Sequence, residues 1–541
     1  MLCFHETWRY CRFCGPPTNG APMARVARDA SLAGLPSMDE VWGWHKKLAK
    51  MGPRYTGSRG HVRFTDWLQE KFSAVPGFKL SPDPNNRISF NRWLAKKYSL
   101  SIDQDAMGRS KRVKVSYYYP YSGKTGPGGI SGRLVDLGQY NPVWSTPAFW
   151  ARASGQIALV RVPKPTFSLD FGQIPIGGFD HGKSSLQAAA AYERDASLVT
   201  NAVFQGIVAE VPLLDARLAG VRGVICVWTG MSDDQVANQY TPITTKYPNK
   251  EGLPKRQDPG CPALWVGDKT GHLLADRAAR GNARVKLTLD AEITEGATTD
   301  TVWGVLPGTG ADRKRGLIVN THTDGPNVPE ENGALGLLAL AQYFARRQRN
   351  RDLYFVMVTG HFQLSQFIAD IPNQRFVVGN DATSLWMAQN PAIYRKALAG
   401  LTMEHLGCKM WADNANGKYV HTGHYEWGPT YTTPKRGLTD ATNMQAYLAA
   451  VRATRNSGAK AGRVVTMLPA PLFLGEGAPL YAGGLGTVSL CPVPSYLLQA
   501  GSQARPELLN LDKLDKHLIY GQIQSFAGTI STLDAAEAAD S

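Results

Sequence analysis

The chain has 541 residues, of which 43% are hydrophobic and 19% are charged, and its formal net charge is +15. The length allows about two to four domains, and the composition is close to that of an ordinary globular protein. Since no apolar run in the sequence approaches the roughly 18 residues of a membrane helix, a membrane span is not expected.

The positive charge is concentrated in short runs, for example at residues 109–114 and 346–351. Neither run is accompanied by a recognised nucleic-acid-binding motif, so we do not expect nucleic acid to be a partner. The second run lies at the end of a predicted helix, where positive side chains are favoured by the helix dipole.

Residues 1–35 are predicted to be a disordered leader. The segment lacks the continuous apolar stretch of a secretory signal, so a cytoplasmic location is expected. Cys11 and Cys14 have the spacing of half a zinc knuckle, but a structural zinc site normally needs a second such pair. A disordered leader is therefore the preferred interpretation.

Helices and strands alternate after the leader. In residues 38–75, apolar side chains such as Val41, Trp44 and Leu48 recur at helical spacing, which predicts helices packed on a sheet. Residues 155–163 are typical of a strand. The segments that follow, at 211–228 and 261–293, combine short helices with buried strands.

The most informative segment is residues 316–344, in which an apolar strand ends in His322-Thr323-Asp324 and is followed by a loop and an apolar helix. Strand residues two apart share a face, so His322 and Asp324 project together from the strand's carboxyl end. Ligands of open α/β sheets bind at that edge, and a metal-binding imidazole usually has a carboxylate partner. A solvated polar strand end is the alternative.

Two later segments repeat this pattern. Residues 352–362 form an apolar run that reaches His361, and residues 401–407 form another that carries Glu404. Because the carboxyl ends of neighbouring parallel strands meet at one edge, we expect both side chains to share a pocket with His322.

The order of these segments resembles the co-catalytic zinc peptidase family, which includes bacterial leucyl aminopeptidases, glutamate carboxypeptidase and the transferrin receptor. The features that match are Gly-Pro-Arg-Tyr-Thr-Gly-Ser at residues 52–58, the strand ending in His322-Thr-Asp324, the small-residue start of the following helix, and a late strand at residues 482–490.

The resemblance implies an α/β fold with a central mixed sheet and flanking helices. It assigns residues 36–127 and 295–535 to this peptidase-like domain, and residues 128–294 to an inserted, β-rich protease-associated domain. Larger members of the family are commonly dimers, so a homodimer is a candidate assembly.

The metal ligands of the family agree less well with this chain. His322 stands where the first zinc ligand stands, and Asp324 matches its supporting carboxylate. The bridging Asp of the family falls on Asn332, and a Glu ligand falls on Phe362. The last His ligand has no equivalent, since no His occurs in residues 427–516.

Two further positions exchange one reactive group for another. The general-base Glu of the family falls on His361, and an Asp ligand falls on Glu404. A two-metal centre holds its ions roughly 3.5–4 Å apart and needs anionic ligands to offset their repulsion. With carboxylates lost at two positions, we expect at most one ion, zinc or another divalent metal, and a metal-free site is an alternative.

Three functions are consistent with these residues. The first is a metal-dependent hydrolase, with His322 and Glu404 as ligands and His361 or His405 as the third. The second is a metal-free enzyme in which His361 is the general base and Asp324 orients His322. The third is a non-catalytic binding protein, for which the transferrin receptor is the precedent.

The substrate expected for an enzyme of this kind is a small molecule or peptide with an amide bond. Substrate-binding candidates come from residues 421–433 and from the loop after the first strand; they are His421, His424, Glu426, Trp427 and Asn332. An ordinary hydrogen-bonded loop is the alternative for residues 421–433. Glu476 is expected either beside the site or in an exposed loop.

Overall fold

Two large β-sheets organise the chain. The computed structural model describes residues 34–82, 87–103, 110–140, 147–163, 175–179, 202–203, 211–241, 260–361, 381–426, 430–431, 464–467 and 475–536. The contacts divide the chain at Gly34, and everything below concerns the unit Leu35–Ser541.

The described strands are β1 (Lys79–Leu80), β2 (Arg87–Asp103), β3 (Ser110–Val113), β4 (Tyr117–Tyr118), β5 (Ile130–Gln139), β6 (Ile157–Val162), β7 (Pro175–Phe179), β8 (Gly223–Trp228), β9 (Ala263–Val266), β10 (Arg284–Asp300), β11 (Val302–Leu306), β12 (Leu317–His322), β13 (Leu353–Val358), β14 (Ala399–Met403), β15 (Lys409–Asp413), β16 (Tyr419–Tyr425), β17 (Thr430–Tyr431), β18 (Val464–Met467) and β19 (Gly486–Leu490).

The described helices are α1 (Met38–Lys50), α2 (Arg59–Ser73), α3 (Pro147–Ala151), α4 (Leu213–Leu218), α5 (Asp268–Ala279), α6 (Val328–Glu331), α7 (Gly333–Ala345), α8 (Asp381–Gln389), α9 (Pro391–Tyr394), α10 (Ala478–Ala482) and α11 (Lys516–Asp534). Within the described ranges, none of the helices has the length and apolarity needed to cross a bilayer.

The first sheet has seven strands in the order β1-β11-β13-β12-β14-β19-β17. Its four central strands, β13, β12, β14 and β19, run parallel, while the outer strands are antiparallel to their neighbours. Every residue of these four central strands is buried. Continuous apolar runs are typical of parallel strands because helices cover both faces of such sheets.

Helices form a layer on each face of this sheet. The apolar helix α7 packs on β12, and α1, α2 and α11 cover it from outside. On the opposite face, α8 and α10 lie against β13 and β19, and Trp303, Ile318 and Trp386 belong to the core there. This three-layer arrangement confirms the α/β fold with a central mixed sheet and flanking helices that the sequence predicts.

The second sheet has eight strands in the order β3-β2-β10-β5-β6-β8-β9-β4. Strands β2 and β10 are antiparallel from Arg87 opposite Asp300 to Ile102 opposite Val285. Strands β5, β6, β8 and β9 run parallel beside them. Since β2 pairs with β10, β3 pairs with β2, and β4 pairs with β9, the strands within residues 87–118 belong to this sheet.

The division between the two sheets lies near residue 87 on the amino-terminal side and near residue 300 on the carboxyl-terminal side. The domain bounds expected from the sequence, with an insert at residues 128–294, stay a prediction. The assignment of the second sheet to a protease-associated domain stays a prediction, as does the disordered leader, because residues 1–33 lie outside the described residues.

Candidate active site

Three of the residues predicted from strand ends meet at one edge of the first sheet. His322 is the last residue of β12, His361 follows β13, and Glu404 follows β14 directly. The imidazole rings of His322 and His361 are stacked, with centroids 4.0 Å apart and an interplanar angle of 9°. The Nε2 atom of His322 lies 3.9 Å from Oε2 of Glu404.

Three other side chains complete this group, which we call the His–Glu cluster (His322, Glu330, His361, Glu404, His405 and Glu476). His405 Nε2 lies 3.4 Å from Glu330 Oε2 and 3.8 Å from Glu404 Oε2. Glu330 Oε1 lies 4.0 Å from His322 Nε2 and 3.8 Å from His361 Nε2. His361 Nδ1 contacts Glu476 Oε1 at 2.7 Å.

The cluster is almost completely shielded from water. His322 and Glu476 have no exposed surface, and the side chain of His361, at 16% exposure, is the most accessible member. Burying three carboxyl groups together is costly unless they are neutralised or paired. Their convergence therefore indicates a site that serves chemistry or ligand binding rather than packing.

The backbone at His405 is in an uncommon conformation. Its φ of 57° lies in the left-handed region, which costs of order 1–3 kcal/mol for a residue with a side chain. His405 Nδ1 lies 2.6 Å from the carbonyl oxygen of Pro492, and this contact directs Nε2 into the cluster. Strain of this kind is concentrated at functional sites, where the surrounding contacts maintain it.

The hydrogen bonds of His322 and His405 determine which of their nitrogens is free. His322 Nδ1 lies 3.0 Å from the carbonyl oxygen of Asp324, and His405 Nδ1 has its partner in Pro492. A carbonyl oxygen only accepts, so both Nδ1 atoms carry the proton and both Nε2 atoms offer a lone pair. Among the described residues, neither Nε2 atom nor Glu330 Oε2 has a hydrogen-bond partner.

The protonation equilibria agree with this arrangement. Burial lowers the pKa of His322 well below its usual range and that of His405 to about 3, so both rings are neutral. Burial raises the pKa of Glu330 well above its usual range. Burial and the neighbouring Glu476 charge raise the pKa of Glu404 to about 7. Neutral imidazole nitrogens and carboxyl oxygens that face one another all offer lone pairs, and a cation could be bound between them.

His361 differs from the other two histidines. Burial lowers the pKa of His361, but the hydrogen bond and charge of Glu476 outweigh it and raise the pKa to about 9. In the absence of a bound cation, the His361 ring is therefore protonated at neutral pH. It provides a positive charge that faces Glu330.

Among the residues that the structure describes, two overlapping sets of three have ligand atoms close enough to hold one metal ion. The first set is His322, Glu404 and His405, and the second is His322, Glu330 and His361. In each set the ligand atoms lie within 4.8 Å of one another. Both sets use His322, whose Nδ1 is taken by a carbonyl oxygen, so only Nε2 is available to an ion.

Asp324 and Asn332 lie beside this cluster in roles that the strand pattern does not predict. The carboxylate of Asp324 accepts from Thr56 Oγ1 at 2.5 Å and from the backbone N–H of His361 at 3.3 Å. The side-chain amide of Asn332 bonds both the N–H and the carbonyl oxygen of Leu406, at 2.7 and 2.8 Å. It thereby holds the loop that carries Glu404.

The candidate substrate-binding residues of the 421–433 segment are described only in part. His421 is exposed on β16 near the ring of Trp411, and Glu426 is buried. The side chain of His424 lies outside the described residues, as do Trp427 and Phe362.

Sequence reasoning missed Glu330, which lies two positions before the aligned Asn332. In the single-turn helix α6, Glu331 turns away from the cluster and forms a buried ion pair with Arg54, at 2.7 Å, so that Glu330 faces His405. The signal in the sequence is the Glu-Glu pair immediately before the apolar helix. Glu476 is buried beside His361 rather than in an exposed loop.

Solved structures with this architecture come from bacterial peptidases. A peptidase M28 precursor from Shewanella amazonensis has a TM-score of 0.56 at 13% identity, covering 93% of this chain and 98% of that chain. A zinc aminopeptidase from Bacillus subtilis has a TM-score of 0.54 at 11% identity, with 91% and 95% covered. An aminopeptidase from an Aneurinibacillus species has a TM-score of 0.52 at 14% identity, with 92% and 93% covered.

The chain has an aminopeptidase-like fold. No protein-family profile and no curated protein sequence matches it. At identities of this size, the similarity of these structures concerns the fold alone, and both sheets are included because more than nine-tenths of the chain is covered. The His–Glu cluster lies at the carboxyl ends of the parallel strands of this aminopeptidase-like fold, where open α/β sheets bind their ligands.

Proposed function

We propose that this protein is a hydrolase of a small peptide-like or amide substrate, and that its site holds one divalent metal ion. The observation that carries this proposal is the pair of buried, unprotonated Nε2 atoms of His322 and His405. Neither has a hydrogen-bond partner among the described residues, and they lie 3.9 and 3.8 Å from Glu404 Oε2. A dication between these groups satisfies lone pairs that otherwise oppose one another.

The residues that would hold the metal are His322, Glu404 and His405. A tetrahedral zinc ion, with bonds of about 2.0–2.2 Å, separates its ligand atoms by roughly 3.3–3.6 Å. Glu404 Oε2 lies 3.9 and 3.8 Å from the two Nε2 atoms, so a contraction of about half an ångström brings them to that spacing. When bound, the metal would supply a Lewis acid and acidify a water molecule.

The second set of ligands is less suitable for the ion. It includes His361, whose Nδ1 is bonded to Glu476 and whose ring is a cation at neutral pH, so it repels a metal. Because both sets depend on Nε2 of His322, they are alternatives rather than two simultaneous sites. This argument supports a single ion, as the sequence predicts.

Glu330 and His361 are then available for proton transfer. Glu330 Oε1 lies 4.0 Å from His322 Nε2 and 3.8 Å from His361 Nε2. Burial raises the pKa of Glu330, but a bound dication would favour its ionised form, which is then placed to accept a proton from an attacking water. His361 offers an N–H for the developing oxyanion or the leaving amine. A positioned acid or base of this kind contributes about 10²–10⁴-fold in rate.

A titration of the metal-free protein with Zn²⁺ and Co²⁺, followed by elemental analysis after dialysis, tests the metal. We expect one equivalent for each chain. His322→Ala and His405→Ala should each weaken binding by more than the roughly 10–100-fold that is typical of losing an outer-shell partner. His421→Ala is the matched control, because this histidine is exposed on β16.

Two equivalents that survive dialysis, or binding that is unchanged in His322→Ala, would contradict the single-metal site. The absence of binding would favour a metal-free cluster and the alternative of a non-catalytic binding protein. Turnover of amide substrates such as aminoacyl anilides, lost in Glu330→Gln with metal retained, would establish the hydrolase itself.

A further inference from the structure

A buried carboxylate behind His361 has no place in the metal set. We infer that Glu476 is a positioning residue, and that it keeps a proton on Nδ1 of His361 so that Nε2 is the atom offered to the reaction. The catalytic meaning of this inference rests on the proposed function, whereas the geometry that carries it is independent of any metal.

The hydrogen bonds of Glu476 leave one arrangement of protons. Its Oε2 accepts from the backbone N–H and the hydroxyl of Thr383, at 3.2 and 2.6 Å, and its Oε1 contacts His361 Nδ1 at 2.7 Å. Because the other oxygen of this carboxyl group accepts two hydrogen bonds from Thr383, Oε1 is placed to accept as well, and we assign the proton of the short contact to Nδ1. The lone pair or second proton of the ring is then at Nε2, which faces Glu330.

A chain of buried polar side chains holds Glu476 from behind. Asn320 Nδ2 donates to Thr383 Oγ1 and to the carbonyl oxygen of Glu476, both at 2.9 Å. Thr402 Oγ1 donates to Asn320 Oδ1 at 2.6 Å. The four side chains are fully buried. Each donor in this series of hydrogen bonds has an acceptor, so no side chain can exchange its donor and acceptor roles without losing a hydrogen bond.

These hydrogen bonds join two central strands to the segment that follows β13. Asn320 and Thr402 lie in the central strands β12 and β14, while His361 stands in the segment after β13. The backbone N–H of Glu476 also donates to Glu404 Oε1 at 2.6 Å, so the same residue orients a proposed metal ligand. Fully satisfied buried networks of this type confer orientation that an apolar core does not.

The consequence concerns the tautomer of His361. When Glu476 accepts from Nδ1, both the uptake and the release of a proton during catalysis take place at Nε2. In Glu476→Gln, the side-chain amide would instead donate to Nδ1 and force the ring proton onto Nε2. The lone pair would then point away from the site, with an expected loss of about 10²–10⁴-fold in kcat.

Nitrogen NMR of the full chain with ¹⁵N-labelled histidine tests the inference without substrate or metal. The His361 signals are assigned by their absence in His361→Gln, and spectra are recorded at about pH 10, where the ring is neutral. We expect a protonated Nδ1 and a bare Nε2 in the wild type, and the reverse in Glu476→Gln. The His421 signals should be the same in both.

Thr383 provides a second pair of variants. Thr383→Val removes the hydroxyl that holds Glu476 and should weaken the Nδ1 hydrogen bond, whereas Thr383→Ser should retain the wild-type signals. A wild-type ring protonated at Nε2, or identical signals in Thr383→Val and Thr383→Ser, would overturn the inference. A failure to bind metal in the separate titration would contradict the proposed function and leave this result unaffected.

Discussion

Removal of the buried ion pair between Arg54 and Glu331 should change the free energy of unfolding by an amount that can be worked out from the structure. Neither side chain has exposed surface, and Arg54 Nη2 lies 2.7 Å from Glu331 Oε2. The guanidinium also donates to the carbonyl oxygens of Leu48, Gly52 and Asn327. It therefore connects the segment after α1 to helix α6, which carries Glu330.

Replacing Arg54 by Met leaves Glu331 as an uncompensated buried carboxylate. Breaking a buried pair in this way costs about 3–5 kcal/mol. Three carbonyl oxygens also lose their donor, so we expect a loss at the upper end of that range. Burial already raises the pKa of Glu331 to about 7 in spite of Arg54, which shows how little else in the structure favours its charge.

A double-mutant cycle separates the charge from the packing. Arg54→Met, Glu331→Gln and the double variant are unfolded in urea at pH 7, and the free energies of unfolding are compared. Since the double variant buries no unpaired charge, it should be more stable than Arg54→Met alone. The coupling energy, which is the effect of the double variant minus the effects of both single variants, should be about 1–3 kcal/mol. Arg54→Met with a loss below about 1 kcal/mol, or purely additive effects, would refute the reasoning.

Three further predictions concern pH, packing and the metal. Burial lowers the pKa of His45 to about 4, so the contribution of its neutral ring to stability is complete above about pH 6.5 and decreases toward pH 4. His45→Leu should reduce the slope of the unfolding free energy against pH in this range, where one group contributes at most about 1.4 kcal/mol per pH unit. An unchanged slope would show that His45 is not the source of the pH dependence. Gly333→Ala should destabilise the fold because its Cβ would clash with the Met403 carbonyl oxygen, whereas the Cβ of Gly43→Ala in α1 meets nothing within 4 Å and should stabilise the fold by about 0.5–1 kcal/mol. Thermal unfolding that ranks the two variants the other way would contradict this packing. Asn332→Asp restores the carboxylate that the zinc peptidase family has at the aligned position. It should lower the free energy of unfolding by about 1–3 kcal/mol, because the donor to the Leu406 carbonyl oxygen is lost, and it should not create a second metal site. Uptake of a second equivalent of Zn²⁺ would show that this position faces the metal.

The sequence by itself determined the central sheet and the edge at which the site lies. The mainly apolar runs of β12, β13 and β14 are sufficient to identify buried parallel strands, because helices that cover both faces of a sheet favour apolar side chains on both sides of each strand. Polar residues at the ends of these runs must then gather at one edge. His322, His361 and Glu404 are found together for that reason.

Only the tertiary structure decided which neighbours complete the site. At the one-turn helix α6, Glu330 faces the His–Glu cluster. Its neighbour Glu331 instead forms an ion pair with Arg54, which is far away in sequence. Asn332 forms hydrogen bonds with the backbone of Leu406. The pairing of β2 with β10 likewise depends on a strand that occurs almost two hundred positions later. The periodicity of apolar residues is a local property of the sequence and can be recognised in it directly. The direction of a loop side chain depends on partners that come close only when the protein folds.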